Sequence, residues 1–227
     1  MKSRMTKFWK ENRLLLIFIV LMSVFRSGVA DWNEVPTGSM KPTIIEGDRI
    51  LVNKMAYDLR VPFTHISLIK LADPARGDIV VFDSDKLDKR LVKRIVGLPG
   101  DIVAMNNNVL MINGQVVGYE EFYHDDAAVE KIEHLIGVDH LVKVSRIRPS
   151  KMSSFPPVKV PEDHYLVLGD NRDNSADSRF IGFIPRDQIV GRSRQVVLSL
   201  DYDYYYLPRP ERLLHSLTSL PASHTPQ

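Results

Sequence analysis

A chain of 227 residues, 44% of them hydrophobic, has room for one domain-sized core, with space for an insertion. Its formal charge of +2 is too slight to argue for nucleic acid as a partner. It contains no cysteine, which excludes disulfides, thiolate catalysis and cysteine-ligated zinc.

Lys2, Arg4, Lys7, Lys10 and Arg13 precede an uncharged apolar run over residues 14–25, followed by Arg26 and the small residues Ser27, Gly28, Val29 and Ala30. Twelve helical residues reach about 18 Å, against a hydrocarbon layer of about 30 Å. One reading is a cleavable secretory signal ending at Ala30. The other, which we take as the expectation, is a retained anchor counted from Lys10 to Trp32. Arg13 and Arg26 would then snorkel, and Trp9 and Trp32 would mark the interfaces. On either reading the basic amino terminus stays cytoplasmic, and the chain from Asp31 onward lies across the membrane. Residues 1–32 are therefore assigned to a basic tip and one short membrane helix.

Residues 35–43 form a short turn in which Ser39 lies between Gly38 and Met40, with Pro36 and Pro42 restricting the backbone. Beyond it the sequence reads as strands. Residues 48–54, 78–83, 90–96, 101–105, 109–112, 115–117, 164–168 and 189–200 are short apolar, β-branched runs between polar residues. Asn113-Gly114 predicts a type I′ hairpin turn. No convincing amphipathic helix follows residue 31, so the expected class is mainly β. Residues 118–161 break the rhythm and are read as an insertion, linker-like over residues 150–157. His124, His134 and His140 lack zinc-ligand spacing there and are read as surface-loop residues, with no metal or other cofactor expected. The chain divides into a catalytic β-domain in two parts, 33–117 and 162–205, the insertion, and a flexible tail over 206–227.

The chemistry narrows by elimination. There is no G-x-S-x-G elbow, no phosphate loop and no dinucleotide fingerprint. Residues 173–184 imitate a calcium loop, but Ser178 and Ile184 occupy the positions that need glycine and glutamate. Arg76-Gly77-Asp78 runs straight into a strand and reads as its entry turn. A serine can also be activated by a neutral lysine. An exposed lysine is neutral in only about one molecule in 2,500 at pH 7, but burial favours the uncharged amine. Lys93 lies on an apolar strand and shares a face with Leu91 and Ile95 if alternation holds, while Arg94 points the other way. An ordinary exposed Lys-Arg pair on an edge strand remains the competing reading of that segment taken alone. Residues 169–179, taken alone, read as a capped Asp/Asn loop.

Taken together these stretches resemble the type I signal peptidases. The shared patterns are Ser-Met-x-Pro-Thr at residues 39–43, Lys-Arg-x-Val-Gly-x-Pro-Gly-Asp at 93–101, and Gly-Asp-Asn-Arg-Asp-x-Ser-x-Asp-Ser-Arg at 169–179. The resemblance implies a signal-peptidase-like catalytic β-domain with an inserted second region. It implies a membrane-anchored serine endopeptidase of the bacterial inner membrane, acting on preproteins after small residues in an Ala-x-Ala pattern. Ser39 would be the nucleophile and Lys93 the general base. Thr37 would supply the oxyanion-hole hydroxyl at a position where serine is commoner, and Ser175 would orient the amine. Asp177 and Arg179 would hold the loop, and Val35, Met40, Ile44 and Val92 would wall the substrate pocket. A dedicated maturation protease for one secreted or conjugative substrate is the alternative within this chemistry. A self-cleaving Ser-Lys regulator lacks room upstream for a DNA-binding region, and a non-catalytic membrane-tethered binding domain is the alternative from another class.

Overall fold

The computed structural model of the protein describes residues 2–64 and 66–220, with side chains from Trp9 onward. Its first element is α1 (Lys2–Gly28). The chain then forms β1 (Ala30–Glu34), a single 3₁₀ turn (Gly38–Met40) and β2 (Asp48–Asn53). Next come β3 (Asp58–Arg60) with β4 (Ser67–Lys70), and β5 (Ile79–Ser84) with β6 (Lys89–Gly97). A first meander follows, made of β7 (Ile102–Asn106), β8 (Val109–Ile112) and β9 (Gln115–Val116). A second is made of β10 (Gly118–His124), β11 (Ala128–Leu135) and β12 (Val138–Ser145). After β13 (Phe155–Lys159) come β14 (His164–Leu168), the short helix α2 (Ser178–Ile181), β15 (Ile184–Pro185), β16 (Ile189–Asp201) and β17 (Leu207–Pro208).

The architecture is mainly β, as the short apolar runs predict. The largest sheet has the order β1-β2-β16-β5-β6-β14-β15, with β17 also on β16. The chain leaves this sheet after Gly97 and returns at His164. In between it builds a β13-β7-β8-β9 sheet and a β10-β11-β12 sheet. Asn113 and Gly114 both have positive φ, 52° and 80°, in the two-residue turn joining β8 to β9.

The period-2 pattern explains how the large sheet is covered. In β2, Ile50 and Val52 are buried while Leu51 and Asn53 face outward. β5 is apolar without alternation because both of its faces are covered. Ile79 and Val81 join Val35, Met40, Ile44, Ile50, Val52, Val196 and Leu217 in one cluster. Val80 and Phe82 join Tyr57, Ile95, Tyr165, Val167 and Ile189 in another. A third cluster, which includes Val96, Val103, Leu110, Leu135 and Leu168, ties the two meanders to the large sheet.

Three sequence expectations meet a different arrangement. Among the described residues, no helix is long and apolar enough to cross a membrane. The reason is charge: Arg13 and Arg26 confine the apolar part of α1 to residues 14–25. Arg26 does not snorkel. It is drawn back onto the β-domain, pairing with Asp31 at 2.7 Å and lying 4.3 Å from the centre of the Trp32 ring. His140 is not a surface-loop residue; it is 4% exposed, packed among the charges described below. Residues 207–217, placed in the tail by composition, run back along β16 and bury Leu217 in the core. The tail's last seven positions, 221–227, lie outside the described residues.

Candidate active site

Ser39 sits in the 3₁₀ turn, inside a loop closed by hydrogen bonds of Val35 with Gly47 and Asp48. Val35 N–H donates to the Asp48 carbonyl at 2.9 Å, and Gly47 N–H donates to the Val35 carbonyl at 3.2 Å. Lys93 comes from β6, at the point where that strand loses a neighbour. β14 pairs with β6 at Arg94, Ile95 and Gly97, so residues 89–93 form an open edge on that side. The two sequence-predicted residues meet there, with Lys93 Nζ 2.7 Å from Ser39 Oγ and 2.9 Å from the Val92 carbonyl oxygen.

Lys93 is 2% exposed. Burial is the main reason its pKa falls from 10.5 to about 8; Asp177 and Asp170 pull it upward, and Arg179 pushes it down. At that value about one amine in ten is neutral at pH 7. A neutral amine at hydrogen-bond distance from a hydroxyl can take its proton as the oxygen attacks.

Arg94, the next residue along, is equally buried. It grips Asp170 through two bonds of 2.9 and 2.7 Å and donates to the Gly77 carbonyl at 2.9 Å. Neither residue belongs to an exposed Lys-Arg pair: both are buried, Lys93 against Ser39 and Arg94 against Asp170. Asp170 also accepts from Thr43 Oγ1 at 2.6 Å. Asn171 adds two bonds to the serine turn, from its N–H to the Ser39 carbonyl at 3.1 Å and from Nδ2 to the Gly38 carbonyl at 2.9 Å. The polar loop thus clamps the serine turn from behind. Asn171, Asp170, Arg94 and Thr43 lay inside the motifs, but pattern alone assigned them nothing.

Asp177 is fully buried and caps α2. It accepts from Gly169 N–H at 3.0 Å and pairs with Arg179 at 2.7 and 2.8 Å. Arg179 in turn donates to the Arg172 carbonyl at 2.6 Å, so both residues brace the loop. Ser175 Oγ is buried and has no hydrogen-bond partner among the described residues. A β-carbon on Gly169 would lie 2.2 Å from that hydroxyl and 2.5 Å from the Ser39 carbonyl oxygen, so the loop needs glycine here to close on the serine.

Behind the loop, Arg172 and Glu133 form a buried pair at 2.6 and 2.7 Å, joining β11 to the polar loop. Lys143 N–H donates to the Asp170 carbonyl, and Arg172 N–H to that of Lys143. His140 lies 3.3 Å from Glu133 and 3.9 Å from Asp170. Burial, aided by Arg94 and Arg172, holds its pKa well below the ordinary value.

In front of Ser39 and Lys93 a groove of about 630 Å³ is lined by residues 33–37, Ser39, Met40 and 89–93, mostly through apolar atoms. Thr37 is exposed on its rim. Of the four expected wall residues, Val35, Met40 and Val92 line it. Ile44 lies behind them, fully buried in the same cluster as Val35 and Met40. The groove runs between the end of β1 and the open edge of β6, so unpaired backbone groups flank it.

The family model for signal peptidases, peptidase S26, matches residues 8–198. A signal peptidase I of Pseudomonas fluorescens is 39% identical over 204 residues, covering 81% of this chain and 69% of the relative. Its namesake in Pseudomonas aeruginosa is 36% identical with the same coverage. A signal peptidase I of Bacillus amyloliquefaciens is 32% identical, covering 86% of this chain and 88% of the relative. With the match spanning most of its length, this chain belongs to the S26 signal peptidases and is a peptide-bond hydrolase.

Proposed function

We propose that the protein is a membrane-anchored endopeptidase that removes signal peptides from exported preproteins with a Ser39–Lys93 dyad. The observation carrying this reading is the buried Lys93 amine 2.7 Å from the Ser39 hydroxyl. Neutral Lys93 accepts the Ser39 proton while Oγ attacks the carbonyl that ends the signal peptide. The ammonium then protonates the departing amine, leaving an acyl-enzyme. Lys93, neutral again, takes a proton from water as its oxygen attacks the ester, and the ammonium returns that proton to Ser39. The oxyanion is held by the Ser39 N–H and the Thr37 hydroxyl. Ser175 Oγ bonds no group among the described residues, so the amine is oriented by Ser39 Oγ and the Val92 carbonyl instead, and Asp177 with Arg179 keeps the loop in place.

The substrate lies extended along the groove, adding its backbone to the open edge of β6. Val35, Met40 and Val92 leave room for small side chains before the cut, hence Ala-x-Ala. The anchor is α1: residues Leu14, Leu15, Phe18, Val20 and Leu21 are exposed on a helix that packs on no core of the chain, and lipid would cover them. On this reading the basic residues before the apolar run keep the amino terminus in the cytoplasm of a bacterium, with the β-domain outside the inner membrane.

The test is cleavage of a purified preprotein carrying an Ala-x-Ala site by the wild type, Ser39→Ala, Lys93→Ala and Lys93→Arg. Only the wild type should cut. Near-normal cleavage by any of the three variants would sink the dyad, and a wild type that spares this substrate would point to a dedicated maturation protease.

A further inference from the structure

We propose that Arg212, on the C-terminal strap formed by residues 207–217, is a positioning residue for Ser39. The proposal rests on the reading of Ser39 as the nucleophile. The matched family region ends at residue 198, so the strap lies wholly beyond it.

The strap is held in register on β16. Arg209 N–H donates to the Ser199 carbonyl at 2.9 Å, Val196 N–H to that of His215 at 2.8 Å, and Leu217 N–H to that of Arg194 at 2.9 Å. From this rail three side chains reach under the serine loop. Arg212 straddles it, with Nε 2.9 Å and Nη2 2.5 Å from the two carboxylate oxygens of Asp48 and Nη2 also 3.1 Å from the Thr43 carbonyl oxygen. Arg209 donates to the Glu46 carbonyl at 2.9 Å. Leu217 packs in the cluster that contains Val35, Met40 and Ile44.

The geometry makes Arg212 more than a distant brace. Asp48 is fully buried, its carbonyl closes the loop onto Val35 N–H, and its carboxylate accepts from Ile45 N–H at 3.0 Å. Thr43 is held from opposite sides, its hydroxyl by Asp170 and its carbonyl by Arg212. One further bond, from Ile44 N–H to the Met40 carbonyl at 2.9 Å, connects this anchored segment to the residue after Ser39. The planar fork of arginine can satisfy Asp48 and Thr43 together, whereas a lysine ammonium offers only a point charge. Releasing Thr43 would let the loop drift on the scale of an ångström, and a drift of that size at a reacting atom costs up to about a hundredfold in rate. The groove residues 33–34 on β1 and 89–92 on β6 keep their own strands, so substrate affinity should hardly move.

The experiment compares the full-length wild type with Ser39→Ala, Arg212→Met and Arg212→Lys on a preprotein substrate, with kcat and KM separated. Each protein is assayed well below its own Tm, where it is fully folded. Arg212→Met should lose about 10- to 100-fold in kcat with KM within about twofold, and Arg212→Lys should fall between it and the wild type. If Arg212→Met does not fold, Arg212→Lys carries the test, because it keeps a charge beside Asp48 but not the fork. A kcat within about twofold of wild type in the folded variants, or a loss confined to KM, overturns the positioning role. An inactive wild type, or an active Ser39→Ala, overturns instead the serine reading beneath it.

Discussion

Replacing Lys93 by Met should abolish cleavage and yet make the protein more stable at neutral pH. The folded amine has a pKa of about 8, against 10.5 in an unfolded chain. At about 1.4 kcal/mol for each tenfold, keeping that amine in the core penalises the folded state by roughly 3 kcal/mol at pH 7. The sign follows from proton counting. Between about pH 8 and 10.5 the unfolded state binds more protons than the folded one, so stability rises with pH across this window. Below pH 8 both states are charged and the penalty is present in full; above 10.5 both are neutral and it is gone. Methionine escapes the penalty but gives up the bond to Ser39, worth about 1 kcal/mol. The net gain of about 2 kcal/mol corresponds to roughly 4–8 °C in Tm for a chain of this size. Urea melts of both proteins at pH 7 and at pH 11 measure it. A Lys93→Met variant no more stable than wild type at pH 7, or one whose advantage does not shrink by pH 11, would refute the desolvated-amine reasoning.

Lys93→Arg should fold but fail to cleave in a preprotein assay even at high pH, since arginine cannot give up its proton in a protein; activity that recovers above pH 9 would speak against it. Asp170→Asn strands the buried Arg94 and should cost about 3–5 kcal/mol in urea melts. Because Asp170 holds the Lys93 pKa up, the same change should move the rising limb of the pH–rate profile to lower pH, and an upward shift would contradict that electrostatic role. Gly169→Ala forces a methyl into the Ser175 hydroxyl and the Ser39 carbonyl. It should lose about 1–3 kcal/mol of stability together with most of its kcat, and a fully active variant would show that the loop has room. Glu133→Ala, far from the groove in sequence, leaves Arg172 buried without its carboxylate; a urea midpoint unchanged from wild type would deny the pair its load, against an expected loss of about 3–5 kcal/mol.

What was legible in the sequence was local. In the large sheet β2, β5, β6, β14 and β16 announce themselves as short apolar runs, β14 and, in the neighbouring sheet, β8 lie at the boundaries the pattern predicts, and Asn113-Gly114 turns where its chemistry demands. A lysine flanked by Leu91, Val92, Ile95 and Val96 already suggests an amine with little water. Contacts that span the chain left no such trace. The burial of Arg94 depends on Asp170, 76 residues on, and that of Arg172 on Glu133, 39 residues back; neither spacing carries a period. The same holds for Ile44, whose character suits a pocket wall, but which the folded loop turns into the core behind Met40. The strap misleads for a related reason. Its Pro208-Arg209-Pro210 run resembles a tail, yet Arg209, Arg212 and Leu217 find partners on the serine loop, more than 160 residues away for both arginines. At the other end, residues 14–25 are apolar enough to suggest a membrane, but the charges that bracket them keep α1 from qualifying as a span.

The pKa of the Lys93 amine is the measurement closest to the proposed chemistry. It can be read by following the carbon-13 shift of the lysine ε-carbon through a pH titration of the full-length Ser39→Ala variant, with Lys93→Met identifying the resonance. A midpoint near 8 is expected. A midpoint at or above about 10, the range of an ordinary solvated lysine, would mean that the amine stays charged and cannot serve as the base for Ser39.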